Sequence, residues 1–402
     1  MPRDGTLPEP AIQRLGANPF GVYVHIPFCR TRCGYCDFNT YTHSELGGGA
    51  SQQEYPATLL REVELARHVL SDNSKGRGSA IPPVSTVFFG GGTPTLLPPG
   101  EIRRIVAALD GSFGLMRGAE ITIEANPETV DQRVLAELRE AGVTRVSFGM
   151  QSDVEHVLAV LERQHAPGRP QLCAKWAREA GFEHVSLDLI YGTPGESDDD
   201  WRRSLDAALT AEPDHVSAYA LIVEEGTRLA AKVRRGEIGA PDDDVLADRY
   251  LIADDMLAAA GLSWYEISNW ARDDGARCRH NMLYWTAGDW WGFGPGAHSH
   301  VAGTRWWNVR HPSAYATRLA AGQSPAAARE VLTPDEQAME QVMLGLRLSD
   351  GLPLSALAPA AFPQAERALL TGHLDPAAWS AGRLVLTRDG RLLADAIVRD
   401  LT

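Results

Sequence analysis

Short apolar runs recur through the first half of the chain, and stretches with helical periodicity separate them. The runs are rich in Val, Ile, Phe and Tyr, and several are almost continuously apolar, as strands covered on both faces must be. They predict six strands, at 21–26, 84–89, 120–125, 145–150, 184–190 and 215–221. A further run at 263–270 offers a seventh strand.

Amphipathic stretches between these runs predict helices, at 52–70, 101–113, 131–141, 153–163, 171–180 and 199–211. Asp131 and Asp153 precede apolar periodicity and are candidate N-caps. Strand–helix alternation of this kind predicts a parallel sheet with right-handed crossovers. We therefore expect an α/β fold, an incomplete (β/α)6 barrel of the TIM type, with functional residues at the C-terminal ends of its strands.

The same pattern divides the chain into segments. Residues 1–18 are polar with Pro and Gly and predict a loose leader, whereas residues 19–287 form the partial barrel with its C-terminal extension. Residues 288–312 are rich in Gly, Trp and His with little periodicity, and we expect a connector there. Residues 313–402 predict a smaller helical or winged-helix-like domain, and residues 71–83 a surface loop.

Composition narrows the classes of partner. The chain has 402 residues and a formal net charge of −14, so its overall charge favours neither nucleic acid nor anionic lipid as a partner. No apolar run is long enough to cross a membrane, and no apolar signal-peptide core is present. We therefore expect a cytoplasmic protein without membrane insertion and without a nucleic-acid partner.

The cysteines carry the strongest chemical signal. Cys29, Cys33 and Cys36 form a C-x3-C-x2-C string directly after the first predicted strand. A closed zinc site needs four ligands, whereas three thiolates match three irons of a cubane and leave the fourth iron open. A zinc site with a distant fourth ligand, or a redox pair of Cys33 and Cys36, is the alternative.

Polar residues and glycines follow other strands at the same edge. Residues 90–93, Gly-Gly-Gly-Thr, come after the second strand, and consecutive glycines let a backbone approach a ligand closely. Glu124 and Gln151 end the next two strands, Arg163 lies one helix further on, and Asp188 interrupts an apolar strand. Each alone is equally well explained as a structural hydrogen-bonding group, but their convergence on the barrel mouth favours ligand contact.

The cysteine string on the first strand of such a barrel resembles the radical SAM superfamily. That resemblance implies a [4Fe-4S] cluster held by Cys29, Cys33 and Cys36. The amino and carboxylate groups of S-adenosylmethionine (SAM) would then bind the open iron. Tyr35 is suited to stack on the adenine ring. The cluster also requires an electron donor.

Longer strings, at 23–29, 90–95, 123–127, 149–152 and 188–192, resemble the oxygen-independent coproporphyrinogen III oxidase group. The resemblance implies that nine residues contact SAM: Tyr23, Tyr35, Gly91, Gly92, Thr93, Glu124, Gln151, Arg163 and Asp188. In the oxidases some of these positions belong to a second SAM molecule.

Two features favour the heme chaperone branch of this group, the HemW type. The oxidase pattern has a further cysteine two positions after the third cluster cysteine, where this chain has Phe38. Residues 280–285, His-Asn-Met-Leu-Tyr-Trp, resemble the H-N-x-x-Y-W signature of HemW-type proteins. These proteins bind heme, pass it to respiratory hemoproteins and lack oxidase activity, and the resemblance also implies a homodimer. The alternative is oxidative decarboxylation of coproporphyrinogen III.

Imidazole is a good axial ligand of heme iron, so a histidine is the expected ligand. His280 is the first candidate, and His298 and His300 are its rivals. Aromatic side chains nearby could cover a macrocycle: Tyr284, Trp285, Trp290, Trp291, Trp306 and Trp307. The equally weighted alternative is that His280 and Asn281 make buried hydrogen bonds among packed aromatic rings. Cys278 is expected to be a packed thiol.

Overall fold

A computed structural model describes residues 2–42, 45–46, 50–72 and 81–402, so most of the loop predicted at 71–83 lies outside the described residues. Six parallel strands form its centre and pair in chain order. They are β1 (Phe20–Ile26), β2 (Val84–Gly91), β3 (Leu115–Ala125), β4 (Arg145–Gln151), β5 (His184–Tyr191) and β6 (His215–Ala220). The predicted α/β class and incomplete barrel are confirmed.

Helices connect these strands and cover the outside of the sheet. They are α1 (Glu9–Arg14), α2 (Tyr55–Asp72), α3 (Pro99–Phe113), α4 (Gln132–Glu140), α5 (Glu155–Val160), α6 (Arg169–Glu179), α7 (Asp198–Leu209), α8 (Arg228–Arg234) and α9 (Asp243–Ala259). Asp131 caps α4 by accepting from the amide of Val134 at 2.8 Å. Asp153 does not cap α5, because its carboxylate accepts from the amide of Gly168 instead.

The run predicted as a seventh strand is a hairpin. The chain forms β7 (Ser263–Glu266) and β8 (Asn269–Ala271), and it reverses at Ser268, whose φ is 76°. Strand β8 pairs antiparallel with β6, so the run of parallel strands ends at β6 on this side of the sheet. The hydrophobic run continues through both arms of the hairpin, which is why the pattern alone predicted one strand.

The segment predicted as an irregular connector extends the sheet. After α10 (Arg279–Trp285), the chain forms β9 (Asp289–Phe293), β10 (His298–Val301) and β11 (Thr304–Asn308). Strand β9 runs parallel to β1 on the edge opposite β2, and β10 and β11 follow antiparallel. The expectation of irregular structure was wrong because strands of four or five residues with internal glycines show little alternation.

The N-terminal segment is packed rather than loose. Leu7, Ala11 and Leu15 are buried in the main core and recur every four residues, with Ala11 inside α1 and the two leucines just outside its ends. The short periodic stretch was too brief to stand out among polar residues. The expectation of a loose leader was therefore wrong, whereas the domain boundaries remain a prediction.

The C-terminal part has its own core. It contains α11 (Pro312–Ala320), β12 (Ala326–Val331), α12 (Pro334–Gly345), β13 (Leu352–Pro353), α13 (Phe362–Leu370), α14 (Pro376–Ser380), β14 (Arg383–Leu384), α15 (Arg388–Leu392) and α16 (Ala394–Leu401). Strand β12 still belongs to the large sheet, whereas β13 and β14 form a separate pair. The predicted helical domain is confirmed. Along the described chain, every helix is too short or too polar to cross a membrane.

One buried carboxyl group ties the outer helix α2 to the far edge of the sheet. Glu62 accepts from the amide of Gly294 at 2.8 Å, from Asn308 Nδ2 at 2.7 Å and from the hydroxyl of Tyr315. Burial raises the pKa of Glu62 to about 7, although these three donors favour the charged form. The three donors therefore fix the segment after β9 against α2.

This buried group makes stability depend on pH. The folded pKa of Glu62 lies above its ordinary value of 4.5, so unfolding releases a proton between these values. We expect the free energy of unfolding to fall as pH rises from about 4.5 to about 7, by about 3 kcal/mol from this group, and to level off above. Urea unfolding of the wild type and of Glu62→Gln across this range measures the difference.

In Glu62→Gln this pH-dependent fall in the free energy of unfolding should be absent. The difference in unfolding free energy between wild type and variant should therefore change with pH. The matched control is Glu64→Gln on the exposed face of the same helix, for which the gap should stay constant. A constant gap for Glu62→Gln as well would contradict the assignment.

Candidate functional site

A loop of residues 29–40, the cysteine loop, projects from the end of β1. Phe28 and Tyr41 pair at its base, where the amide of Cys29 donates to the carbonyl of Tyr41 at 3.1 Å. The three cysteines of the loop are free and half-buried. They line one pocket of about 310 Å³ at the barrel mouth, the thiol pocket.

Burial shapes the chemistry of these thiols. It raises the pKa of Cys29, and it raises the pKa of Cys36 to about 11, because a thiolate is poorly solvated there. Cys33 Sγ lies 3.5 Å from Arg163 Nη1, so a guanidinium stands beside this thiol. Metal ligation deprotonates a coordinating thiol outright and so overcomes this desolvation.

As the side chains stand, no three His, Cys, Asp or Glu residues in the described ranges are placed to hold a metal ion. The donor set nevertheless fits an iron–sulfur cluster by chemistry and place. Three free thiols line the same pocket, and a guanidinium stands beside one of them. A cubane takes one thiolate per iron and therefore needs its cysteines spread apart.

The triple glycine packs against the backbone of the cysteine loop. The amide of Gly92 donates to the carbonyl of Ile26 at 2.8 Å, and that of Thr93 donates to the carbonyl of Phe28 at 2.7 Å. A Cβ atom on Gly92 would lie 2.5 Å from the oxygen of Phe28, and Gly91 has a φ of 110°. These two positions require glycine because two backbones meet there.

Two partly buried carboxyl groups line the thiol pocket together with the thiols. Glu124 accepts from the amide of Gly91 at 3.1 Å, and burial, together with nearby Asp188, raises its pKa to about 8. Asp188 accepts from the hydroxyl of Ser147 at 2.9 Å, and burial raises its pKa too. Such carboxyl groups are poised to bind a cationic ammonium group, which would lower their pKa.

An amide that the sequence reasoning did not single out links both sides of the pocket. Asn126 Oδ1 accepts from Arg163 Nη2 at 2.9 Å, and Asn126 Nδ2 donates to the hydroxyl of Thr93 at 3.0 Å. Asn126 follows Glu124 by two residues at the same strand end, which is the signal that could have found it. Gln151 adopts a φ of 63°, a strained conformation for a non-glycine residue.

The structure brings eight of the nine predicted SAM residues together with the three cysteines. They line the thiol pocket: Tyr35, Gly91, Gly92, Thr93, Glu124, Gln151, Arg163 and Asp188. Tyr23 lies outside it and contacts His25, whose Nδ1 atom is 2.9 Å from its hydroxyl oxygen.

A second and larger cavity adjoins the thiol pocket. It has a volume of about 1080 Å³, and Tyr23, His298, Trp290 and Met343 are among its lining residues. Four residues line both spaces: Cys36, Phe38, Gly91 and Glu124. The two spaces therefore share one wall, and this second space is called the large cavity below.

His280 lies in neither space. It is fully buried, Nδ1 is 2.8 Å from the hydroxyl of Thr86, and Nε2 is 2.7 Å from the hydroxyl of Tyr284. Burial lowers the pKa of His280 to about 3. Both ring nitrogens are engaged, so this arrangement contradicts His280 as a heme ligand. Its alternative, a packed histidine, matches the structure, as does the buried thiol of Cys278.

Of the aromatic side chains predicted to cover a macrocycle, some are packed in the core and others line the large cavity. Trp291 and Trp306 are buried and contact each other at 4.8 Å between ring centroids. Tyr284 and Trp290 line the large cavity, where their rings are 4.6 Å apart. Trp307 stacks on His298 with centroids 5.7 Å apart.

Comparisons with known proteins match both parts of the chain. Residues 23–208 match the Radical SAM superfamily, and residues 332–393 match the HemN C-terminal domain. The chain is 52% identical to heme chaperone HemW of Mycobacterium tuberculosis over 399 residues, 99% of each chain. It is 34% identical to that of Bacillus subtilis, covering 82% of this chain and 84% of the relative.

A solved structure has the same fold. The coproporphyrinogen III oxidase HemN of Escherichia coli superposes with a TM-score of 0.81 at 23% identity, covering 98% of this chain and 92% of that one. The partial barrel, the cysteine loop and the C-terminal helical domain together define a radical SAM protein of HemN-like architecture. Within that superfamily, the chain belongs to the HemW family.

The backbone contact at Gly92 can be tested directly. In Gly92→Ala the new methyl group would collide with the carbonyl of Phe28, and we expect a loss of about 1–3 kcal/mol in the free energy of unfolding. We also expect weaker retention of iron after anaerobic reconstitution, because the cysteine loop must shift. Urea unfolding and iron content per chain measure both effects.

The matched control is Gly111→Ala in α3, where a Cβ atom would meet nothing within 4 Å. Alanine in a helix interior should raise stability by about 0.5–1 kcal/mol and leave iron content unchanged. Equal iron contents in both variants would contradict the role given to Gly92.

Proposed function

We propose that this protein binds heme and delivers it to respiratory hemoproteins, and that it carries a [4Fe-4S] cluster with SAM. The observation that carries the proposal is the large cavity, which shares its wall with the thiol pocket. Curated relatives named heme chaperone HemW, at up to 52% identity, support the same function.

Cys29, Cys33 and Cys36 would hold the cluster, which supplies an open iron and one electron when bound. Arg163, beside Cys33, offsets negative charge on the thiolates and braces Asn126. Glu124 offers its carboxyl group to an ammonium group at the floor of the pocket. These residues bind and orient SAM whether or not it is cleaved.

Further SAM contacts follow from the lining of the pocket. Tyr35 offers a ring for the adenine, and Gly92 exposes a surface without a side chain. Gln151 ends β4 and Asp188 lies within β5, and both offer polar groups to the remainder of SAM. Tyr23 faces the large cavity instead, so we assign it to that space rather than to SAM.

The large cavity suits a flat macrocycle better than a small metabolite. Its volume lies slightly above the usual range for ligand sites, about 300–1000 Å³. Tyr41, Tyr284 and Trp290 offer aromatic surface, while Arg32, Arg305 and Arg310 offer positive charge for carboxylates. A heme has both an apolar ring and two propionates.

Phe38 favours a function in heme transport over oxidative decarboxylation of coproporphyrinogen III. It stands where the oxidase pattern has a cysteine, and its side chain is 59% exposed between the two spaces. A phenyl ring can neither transfer a proton nor ligate iron. We further propose that the protein works in the cytoplasm, as a homodimer, with an electron donor that reduces the cluster.

One experiment separates carrier from oxidase. The protein is purified anaerobically, its cluster is reconstituted, and heme titration followed at the Soret band is run beside a coproporphyrinogen turnover assay with SAM and a reductant. We expect stoichiometric heme binding and no protoporphyrinogen. Phe38→Tyr is a conservative control that should keep heme binding. Turnover without a Soret shift would overturn the proposal in favour of the oxidase.

A further inference from the structure

We infer that heme sits in the large cavity, with Nε2 of His298 as its axial ligand and Arg310 as the partner of a propionate. The inference rests on the proposed heme-binding function and adds the place where heme binds and the residue that ligates its iron. Its basis is the hydrogen bonding around the cavity, which leaves one imidazole and one guanidinium group without a partner among the described residues.

Four histidines line the large cavity, and His25 is the most deeply placed. Its Nδ1 is 2.9 Å from the hydroxyl of Tyr23, and its Nε2 is 2.9 Å from the carbonyl oxygen of Asn39. Nε2 must donate to that carbonyl and Nδ1 accepts from the hydroxyl. His25 therefore has no lone pair left for iron.

His300 and His311 are also committed. His300 Nδ1 donates to the carbonyl of Gly288 at 2.8 Å, and its Nε2 accepts from the amide of Gly303 at 3.1 Å. His311 Nδ1 accepts from the amide of Ser313 and thereby caps α11. A neutral imidazole that accepts at Nδ1 carries its proton on Nε2, so this nitrogen cannot ligate iron.

His298 is different from these three. Its side chain is exposed to the cavity at the start of β10, and neither ring nitrogen has a hydrogen-bond partner among the described residues. Its ring is held from one side by Trp307, with centroids 5.7 Å apart and planes inclined by 23°. A fixed ring with a free lone pair facing an open cavity is what an axial ligand requires.

The arginines around the cavity divide in the same way. Arg305 is held by Glu340 at 2.6 Å and by Glu330 at 2.8 Å. Arg32 is held by Glu45 and by the carbonyl of Thr40. Arg310 makes no ion pair with any residue that the structure describes, and its side chain is exposed. It is the guanidinium that is free to take a carboxylate.

The side chain of Asn39 connects the cysteine loop to the backbone of Arg310. Asn39 Nδ2 donates to the carbonyls of Pro295 and Arg310, at 3.0 and 2.9 Å. These hydrogen bonds therefore connect the cysteine loop to the strands β9 to β11 at the side of the large cavity next to the thiols. Acidic lining residues that face the same space are Asp37, Glu45, Glu124, Glu225 and Glu340.

The test compares His298→Ala with His156→Ala and His280→Ala, in reconstituted full-length protein titrated with hemin. His298→Ala should weaken heme binding at least tenfold and change the Soret position, and added imidazole should restore the spectrum. His156 is exposed on α5 and lines neither space, so His156→Ala should leave affinity and spectrum unchanged. For His280→Ala, circular dichroism and iron content report whether the packed core survives.

A second arm tests Arg310 with two ligands, hemin and its dimethyl ester. Arg310→Gln should weaken hemin binding severalfold and leave binding of the ester unchanged, because the ester carries no carboxylate. An unchanged heme affinity and spectrum in His298→Ala would overturn the inference while leaving the proposed function intact. Absence of heme binding by the wild type would instead overturn the proposed function.

Discussion

The site depends on the position of strand β1 between two parallel neighbours. Strand β2 pairs along one edge of β1, from Phe20 to Ile26, and β9 pairs along the other, from Phe20 to Val24. The cysteine loop leaves the end of β1, so it is placed over the barrel mouth with a glycine loop on one side. On its other side lies the wall formed by β9, β10 and β11. The thiol pocket and the large cavity therefore both depend on the position of β1.

Two sets of hydrogen bonds hold the cysteine loop and the end of β1 in place. On the β2 side, backbone hydrogen bonds from Gly92 and Thr93 require the absence of a side chain at Gly92. On the β9 side, Asn39 donates to two carbonyls of the wall, and Glu62 fixes the same wall to α2. Cys36 and Phe38 line both spaces, so the cysteine loop forms part of the thiol pocket and part of the large cavity.

Most of the barrel could be predicted from sequence because its signals are local. Each buried strand is a continuous apolar run, and the polar residues that follow it occupy one edge as a matter of topology. Glu124 and Gln151 of the thiol pocket followed from the same rule because they stand at strand ends, whereas Arg163 lies one helix further on. Asp188 was noticed because a carboxylate interrupts an apolar strand. Asn126 directly follows the end of β3, two residues after Glu124, so the same rule could have identified it.

What sequence could not supply depends on distant pairing. Strand β9 is defined by its partner β1, since Asp289 pairs with Phe20 across 269 positions of the chain, and its glycine hides the alternation. His280 looked like a ligand because its partner Thr86, 194 residues earlier, is invisible in the local string. Conversely, His298 emerges only when the hydrogen bonds of every histidine around the cavity are known.

The most direct test of the account is a crystal structure of the protein loaded with cluster, SAM and heme, with an anomalous difference map at the iron edge. The account predicts two centres: a cluster peak within bonding distance of Cys29, Cys33 and Cys36, and a single iron at Nε2 of His298 in the large cavity. A heme iron bound at His280, or anywhere outside the large cavity, would contradict it.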